Sequence, residues 1–340
     1  MISYDCLSKN LLYFGRVEQY STPMFIGIDI GGSSIKGAVI SSGGDWLHFT
    51  STATAKTKDV IVDDILSLIS ILVKSQNATF PDITATGIGS AGSLDRDAGT
   101  IISIPNIPAL SDFPLASRIS ERTGSPVYLE NDAKVAVEAE MWKGNGSRYS
   151  NWILLTLGTG IGGGAIIDGK LYTGQHGSAA EFGHTTIKFD GIQCPCGSTG
   201  CLEQYASAAA VVRITREHLQ LHPDSTLNTP AQSGKLDAEM IYKEAMRGDG
   251  CASEVMQMTG SYLGIGIANM VNIFNPEAVI IGGGLSGAYE LLLPVIRETV
   301  HQRALPGMRE DIDYIVISEP TKAPAFGAAH IAMKYTHNSK

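Results

Sequence analysis

Short apolar runs separated by glycine turns dominate the pattern of the chain. Residues 25–30 and 35–40 are apolar segments too short for helices, and a glycine turn over residues 31–34 joins them. This pattern predicts a β-hairpin, because glycine permits the backbone angles of a tight turn. The unit recurs at residues 152–157, which run into a second glycine turn over residues 158–164. We therefore expect two domains that each begin with strand, glycine turn and strand.

Helical periodicity alternates with strand-like runs along the rest of the chain. Apolar residues at helical spacing predict helices over residues 59–74, 133–142, 253–274, 289–300 and 324–334. Short apolar runs predict strands over residues 83–88, 126–129, 278–281 and 314–317. Strands that alternate with helices indicate an α/β protein.

The length of 340 residues suits two domains of ordinary size. Turn-forming residues cluster at 144–151 and predict a hinge there. We expect an N-terminal domain over residues 24–145, a C-terminal domain over residues 146–322, and a C-terminal helix within residues 323–340 that packs back on the first domain. Residues 1–23 show no clean periodicity, and we expect a disordered or non-native extension.

The composition is that of a folded protein, with 44% apolar and 17% charged residues. A formal net charge of −9 argues against a nucleic-acid partner. The chain has no apolar run long enough to span a bilayer and no signal-peptide pattern at its N-terminus. We therefore expect a cytoplasmic protein without a membrane partner.

Three matches to the pattern G-x-G-x-x-G begin at Gly87, Gly158 and Gly282. Only the last lies between a predicted strand and a predicted helix, as a dinucleotide site requires, so a dinucleotide oxidoreductase stays open as an alternative. Glycine turns in two domains favour ATP, because their backbone N–H groups can surround phosphate oxygens. Asp29 ends a strand beside the first turn, where a carboxylate suits Mg²⁺; a plain turn residue is the alternative.

One histidine and three cysteines form the most specific motif. His184, Cys194, Cys196 and Cys201 lie close together in sequence, which predicts a tetrahedral Cys₃His zinc site. Because no ligand position is left for water, the zinc is expected to be structural.

Asp132 follows a predicted strand and begins a helix, where an ionised carboxylate could accept a proton during phosphoryl transfer. A helix N-cap is the alternative role for this residue. Glu181 and Glu203 flank the cysteine loop and suit hydrogen bonds to sugar hydroxyls, with simple solvent exposure as the alternative. Asn106 and Asn131 could add hydroxyl contacts or form turns.

Together these segments resemble the ROK family of repressors, uncharacterised open reading frames and kinases, over residues 24–334. The resemblance rests on five sequences: Asp29-Ile-Gly-Gly-Ser-Ser, Glu130-Asn-Asp-Ala, Leu157-Gly-Thr-Gly-Ile-Gly-Gly-Gly, Glu181-Phe-Gly-His with the cysteine loop, and Ile281-Gly-Gly-Gly-Leu-Ser. Ser33 stands where threonine is commoner in the family and keeps the hydroxyl.

The resemblance implies a two-domain actin-like ATPase (ribonuclease H-like) fold, with a cleft between the domains where ATP phosphorylates the 6-hydroxyl of a hexose. It makes Asp132 the catalytic base and assigns the sugar to Asn106, Asn131, Glu181, His184 and Glu203. ATP and Mg²⁺ are assigned to Asp29, Gly31, Gly32, Ser33, Lys36, Gly158, Thr159, Gly160, Gly282, Gly283 and Gly284. It also implies structural zinc and a homodimer or homotetramer.

Residues 104–108 and 112–115 look most like bacterial glucokinases, so glucose is the expected sugar. N-acetylmannosamine is the alternative, because kinases for that sugar share nearly every motif. A sugar-responsive regulator is a more distant alternative. Such a protein would carry a DNA-binding domain before the sugar fold, and only about two dozen residues precede Phe25.

Overall fold

A computed structural model describes residues 23–104, 106–319 and 321–338. The extension expected over residues 1–23 lies outside the described residues, apart from Pro23. Among the described residues, the first half of the chain forms seven strands: β1 (Met24–Ile30), β2 (Ser34–Ser41), β3 (Trp46–Ala53), β4 (Ile83–Ser90), β5 (Ser93–Asp95), β6 (Thr100–Ser103) and β7 (Val127–Asn131). Its helices are α1 (Lys58–Lys74), α2 (Leu115–Thr123) and α3 (Asp132–Lys143).

The second half repeats this plan with a larger set of helices. Its strands are β8 (Trp152–Leu157), β9 (Ile161–Ile167), β10 (Lys170–Leu171), β11 (Ala278–Gly282) and β12 (Asp313–Val316). Its helices are α4 (Glu203–Ala206), α5 (Ala208–His218), α6 (Asn228–Gln232), α7 (Ala238–Met246), α8 (Gly250–Phe274), α9 (Tyr289–Arg303) and α10 (Ala323–Asn338). Within the described residues, no helix is both long and apolar enough to cross a membrane.

Two five-stranded sheets share one topology. The orders are β3-β2-β1-β4-β7 and β10-β9-β8-β11-β12. In each sheet the first three strands are antiparallel and the last two run parallel to the third. The repeated hairpin that the sequence predicts is therefore confirmed. The parallel strands of each sheet end at one edge, where ligand sites of open α/β sheets form.

Helix α10 follows the second sheet in sequence but packs on the first sheet. All seven residues of β1 are buried, with Ile26 and Ile28 packed in the same apolar cluster as residues of α1. On the opposite face, a Cβ at Gly27 would overlap the backbone of Ala325 in α10, so glycine permits this close approach. Strand β1 is thus covered on both faces, which explains why its first five residues carry no polar side chain.

The prediction that the second glycine turn covers residues 158–164 is wrong for its last four residues. Strand β9 begins at Ile161, so three successive glycines lie within a strand. A Cβ at Gly163 would come 2.5 Å from the Phe182 ring, and one at Gly164 would overlap Val137 of α3. These glycines therefore serve close packing against β9 instead of turn formation.

Candidate active site

Two carboxylates lie at the carboxyl ends of parallel strands in the first sheet. Ile30 of β1 pairs with Ser90 of β4, which pairs with Asn131 of β7, so the three strands end side by side. Asp29 stands at the end of β1, and Asp132 follows β7 as the first residue of α3. This edge of the sheet therefore presents two acidic groups together.

The pKa of Asp132 is raised to about 6, chiefly because burial disfavours its charged form. The negative charges of Asp29 and Glu181 raise it further, and the bond from the Ala133 N–H opposes the shift. A carboxyl group with a pKa close to neutral is suited to exchange protons with a reacting hydroxyl group.

Asn131, and not Asp132, is the N-cap of α3. Its Oδ1 accepts hydrogen bonds from the backbone N–H groups of Ala133 (3.0 Å) and Lys134 (3.3 Å). The alternative role of Asp132 as the N-cap is therefore wrong. Within the described part of the chain, the Asn131 amide nitrogen has no acceptor, so this donor is the part of the side chain that can meet a ligand.

The first glycine turn lies beside an acidic and a basic side chain. Lys36 faces Asp29 across the β1–β2 pair, with 3.3 Å between Nζ and Oδ2. Burial raises the pKa of Asp29, and the Lys36 charge opposes that rise. Gly32 and Ser33 are exposed at the tip of the turn, and a Cβ at Gly32 would lie 3.5 Å from Cβ of Asn106. The turn therefore borders Asn106, one of the predicted sugar residues.

The second and third glycine turns lie against each other in the second half. The Gly158 N–H donates to the Gly160 carbonyl oxygen at 2.9 Å, which leaves Thr159 exposed at the tip. Gly283 has φ +84°, and a Cβ there would come 2.5 Å from the carbonyl oxygen of Leu157, which precedes the second turn. Gly282 ends β11, and Gly284 begins a short 3₁₀ helix facing open space. The backbone N–H groups that follow β8 and β11 therefore lie close together.

Glu203 lies against the second glycine turn. Its Oε2 accepts a hydrogen bond from the Ile161 N–H at 2.8 Å, and a Cβ at Gly160 would overlap its carboxylate. Glu181 directly precedes a 3₁₀ turn, Phe182–His184, that packs on the start of β9. Glu203 therefore borders the second turn, and Glu181 precedes a segment that packs on the strand after that turn.

The predicted zinc ligands come together. The ligand atoms of His184, Cys194, Cys196 and Cys201 all lie within 4.8 Å of one another. His184 Nδ1 is 3.8 Å from Cys194 Sγ, and Cys196 Sγ is 3.7 Å from Cys201 Sγ. Three sulfurs and one imidazole nitrogen at these distances fit a tetrahedral zinc ion.

Three residues that the sequence analysis missed lie around Glu181. Arg96 and Lys134 reach from the first half to the segment that precedes Glu181. Ala180, the residue before Glu181, has φ +65°, a conformation that costs energy for a residue with a side chain. The sequence does contain a signal for Lys134. A lysine in the first turn of a helix is unfavourable beside the helix dipole, which suggests that its side chain has a partner elsewhere.

The sequence profile of the ROK family matches residues 25–335. The chain belongs to the ROK family. The ROK glucokinase of Streptomyces griseus, whose crystal structure contains glucose and AMPPNP, superposes with a TM-score of 0.79. It is 35% identical in sequence, and the match covers 92% of this chain and 99% of that one. The fold is therefore the actin-like ATPase fold that the resemblance implied.

Other ROK relatives include both enzymes and regulators. A glucokinase of Halalkalibacterium halodurans is 34% identical over 319 residues, which are 93% of this chain and 96% of the relative. A xylose repressor of Caldicellulosiruptor bescii is 33% identical over 281 residues, which are 82% of this chain and 70% of the repressor. The ROK glucokinases match over more of their length than this repressor does.

Proposed function

We propose that the chain is an ATP-dependent glucokinase, which transfers the γ-phosphoryl group of ATP to the 6-hydroxyl group of glucose. The observation that carries the proposal is Asp132, a half-buried carboxyl group with a pKa of about 6 at the edge of the first sheet. Similarity to glucokinases over more than nine-tenths of the chain supports the same reaction.

In this mechanism Asp132 accepts the proton of the 6-hydroxyl group as its oxygen attacks the γ-phosphorus. Asn131 donates to the sugar through its amide nitrogen, since its oxygen caps α3. Glu181 and Glu203 accept bonds from sugar hydroxyls. His184 turns Nδ1 toward the cysteines, so Nε2 is the nitrogen left for the sugar.

Asn106 lies beside the first glycine turn and completes the sugar-binding set. The turns at Gly31–Gly32–Ser33, Gly158–Thr159–Gly160 and Gly282–Gly283–Gly284 would hold the phosphates and the adenosine of ATP through backbone N–H groups. Lys36 would neutralise phosphate charge.

Mg²⁺ fits Asp29, directly or through water, and would offset the charge that develops on the transferred group. Zinc at His184, Cys194, Cys196 and Cys201 would hold the loop between Glu181 and Glu203 without entering the reaction. Closure of the proposed domains, residues 24–145 and 146–322, would exclude water from the phosphoryl group. A dimer or tetramer and a cytoplasmic location stay predictions.

The test is ADP release from Mg-ATP with glucose, N-acetylmannosamine, N-acetylglucosamine, mannose, fructose and allose. A clear preference for glucose is expected. A preference for N-acetylmannosamine would show that the proposed sugar is wrong and that the proposed kinase activity is right. If folded protein that contains zinc releases no ADP with any of these sugars, the proposal is contradicted. Salt-dependent retention on DNA would then favour a regulator, and spectral titration with a nicotinamide cofactor would test the oxidoreductase.

A further inference from the structure

The segment of residues 172–180, which leads into Glu181, is bound by two basic side chains from the first half of the chain. Arg96, which follows β5, donates from Nη2 to the carbonyl oxygen of His176 at 3.2 Å. Lys134, in the first turn of α3, donates from Nζ to the carbonyl oxygen of Gly177. These bonds connect the half that carries Asp132 to the half that carries Glu181.

Arg96 is itself fixed to β7, the strand that ends just before Asp132. Its Nη1 lies 3.0 Å from Oε2 and 3.3 Å from Oε1 of Glu130 in β7. Glu130 is buried, and its Oε1 also accepts from the backbone N–H of Asn131 at 2.9 Å. A continuous series of bonds therefore runs from the His176 carbonyl through Arg96 and Glu130 to the residue before Asp132.

Lys134 forms a second, independent connection. Its side chain is buried, and burial lowers its pKa while the nearby charge of Glu130 opposes the shift. A buried ammonium group is costly unless it is paired and hydrogen-bonded. Because Lys134 lies two residues after Asp132 and Gly177 lies four residues before Glu181, this bond joins the backbones that carry the two carboxylates.

Residues 172–180 have an irregular backbone conformation. Throughout this described segment, the backbone is neither helix nor strand. Gly174, Gly177 and Ala180 all have positive φ, at +67°, +73° and +65°. A Cβ at Gly177 would overlap the Arg96 guanidinium group, so the segment is shaped to receive that side chain.

We propose that Arg96 and Lys134 are positioning residues, which hold residues 172–180 so that Glu181 faces Asp132 across the sugar site. This inference rests on the proposed kinase function. Neither residue belongs to the glycine turns assigned to ATP. Loss of the contact therefore weakens sugar binding and misaligns the 6-hydroxyl group, while nucleotide binding is retained.

Steady-state kinetics of the full chain with glucose and Mg-ATP test the proposal. Arg96→Met is expected to lower kcat/KM for glucose by about 10- to 100-fold, because small displacements at a reacting centre have effects of this size, and to leave KM for ATP within about twofold. Arg96→Lys is expected to recover part of the loss, since an ammonium group keeps the positive charge beside Glu130 but lacks the two separate nitrogens with which the guanidinium group reaches Glu130 and the His176 carbonyl. The matched control is Arg247→Met, which removes an exposed arginine paired with Glu244.

Unchanged glucose parameters in Arg96→Met would overturn the proposal. So would an equal rise of both KM values together with a fall in Tm, which would indicate general destabilisation. Lys134→Met repeats the test at the second contact, and its Tm shows whether the buried substitution is tolerated.

Hydrogen exchange provides a readout that needs no catalysis. Peptides that contain residues 172–180 are expected to exchange at least about 10-fold faster in Arg96→Met, whereas peptides from α8 are unchanged. Equal exchange in both proteins would reject the positioning role even if the wild-type chain is an active kinase. If Arg96→Met exchanges faster but the wild-type chain phosphorylates no sugar, the role of Arg96 in holding residues 172–180 is supported and the proposed kinase function is rejected.

Discussion

Replacing Asp132 with asparagine is expected to stabilise the protein while it removes activity. The free carboxyl group ionises with a pKa of 3.8, whereas burial and the charges of Asp29 and Glu181 raise the pKa in the folded protein to about 6. The unfolded chain therefore releases this proton at lower pH than the folded chain, and wild-type stability falls as the pH rises from about 4 to about 6. Asparagine carries no charge, and its Oδ1 can still accept from the Ala133 N–H.

The size of the effect follows from the difference of about two pKa units. Each unit corresponds to about 1.4 kcal/mol, so the variant should gain about 3 kcal/mol in unfolding free energy at pH 8 and roughly half as much at pH 5. Urea unfolding without ligands, at both pH values, measures the gain. The exposed Asp63→Asn substitution on α1 is the control. A variant whose gain is absent, or equal at the two pH values, would refute the buried-charge argument.

The activity of the same variant tests the base assignment. Loss of a general base commonly costs 10²- to 10⁴-fold in rate, so turnover by Asp132→Asn should fall by about that factor. Glucose binding by calorimetry should largely survive, because other side chains hold the sugar in the proposed mechanism. Near-normal turnover would be incompatible with Asp132 as the base. In the wild-type chain, kcat/KM should decline below about pH 6, where Asp132 becomes protonated.

Three further substitutions test separate parts of the site. Gly160→Ala should raise KM for glucose by about 10-fold, because the added Cβ displaces the Glu203 carboxylate. An unchanged KM would show that Glu203 does not bind the sugar. Cys196→Ser should release zinc, measured by metal analysis, and lower Tm; full zinc content would refute the ligand set. Ala180→Gly should stabilise the protein by up to about 1 kcal/mol in urea unfolding, because glycine adopts a positive φ without strain. A destabilised Ala180→Gly variant would show that the local conformation is not strained.

Features that depend on neighbouring residues in the chain could be predicted from the sequence. The hairpin units are defined by short apolar runs and glycines, and the structure forms them as β1–β2 and β8–β9. The four metal ligands lie within residues 184–201, so a single loop brings them together. The helix after Asn131 was also predictable, although which of two adjacent polar residues caps it depends on backbone angles that the sequence does not reveal.

Features that depend on contacts between distant segments could not be predicted. Gly163 and Gly164 resemble turn residues in sequence, but their role is to admit Phe182 and Val137 against β9. Arg96 lies 80 residues before its acceptor at His176, and no local pattern connects them. The basic side chains around Glu181 were missed for this reason, since long-range pairing is a property of the folded chain.

Helix α3 connects Asp132 to both halves of the molecule. At its start, Asp132 stands at the edge of the first sheet, and Lys134 bonds the segment before Glu181. At its end, the buried Glu140 accepts from the backbone N–H groups of Asn145 and Ser318, each at 2.8 Å. Those two residues lie where the chain leaves the first sheet and where it returns to α10. One helix therefore carries both Asp132 and the contacts that bind it to the second half of the chain.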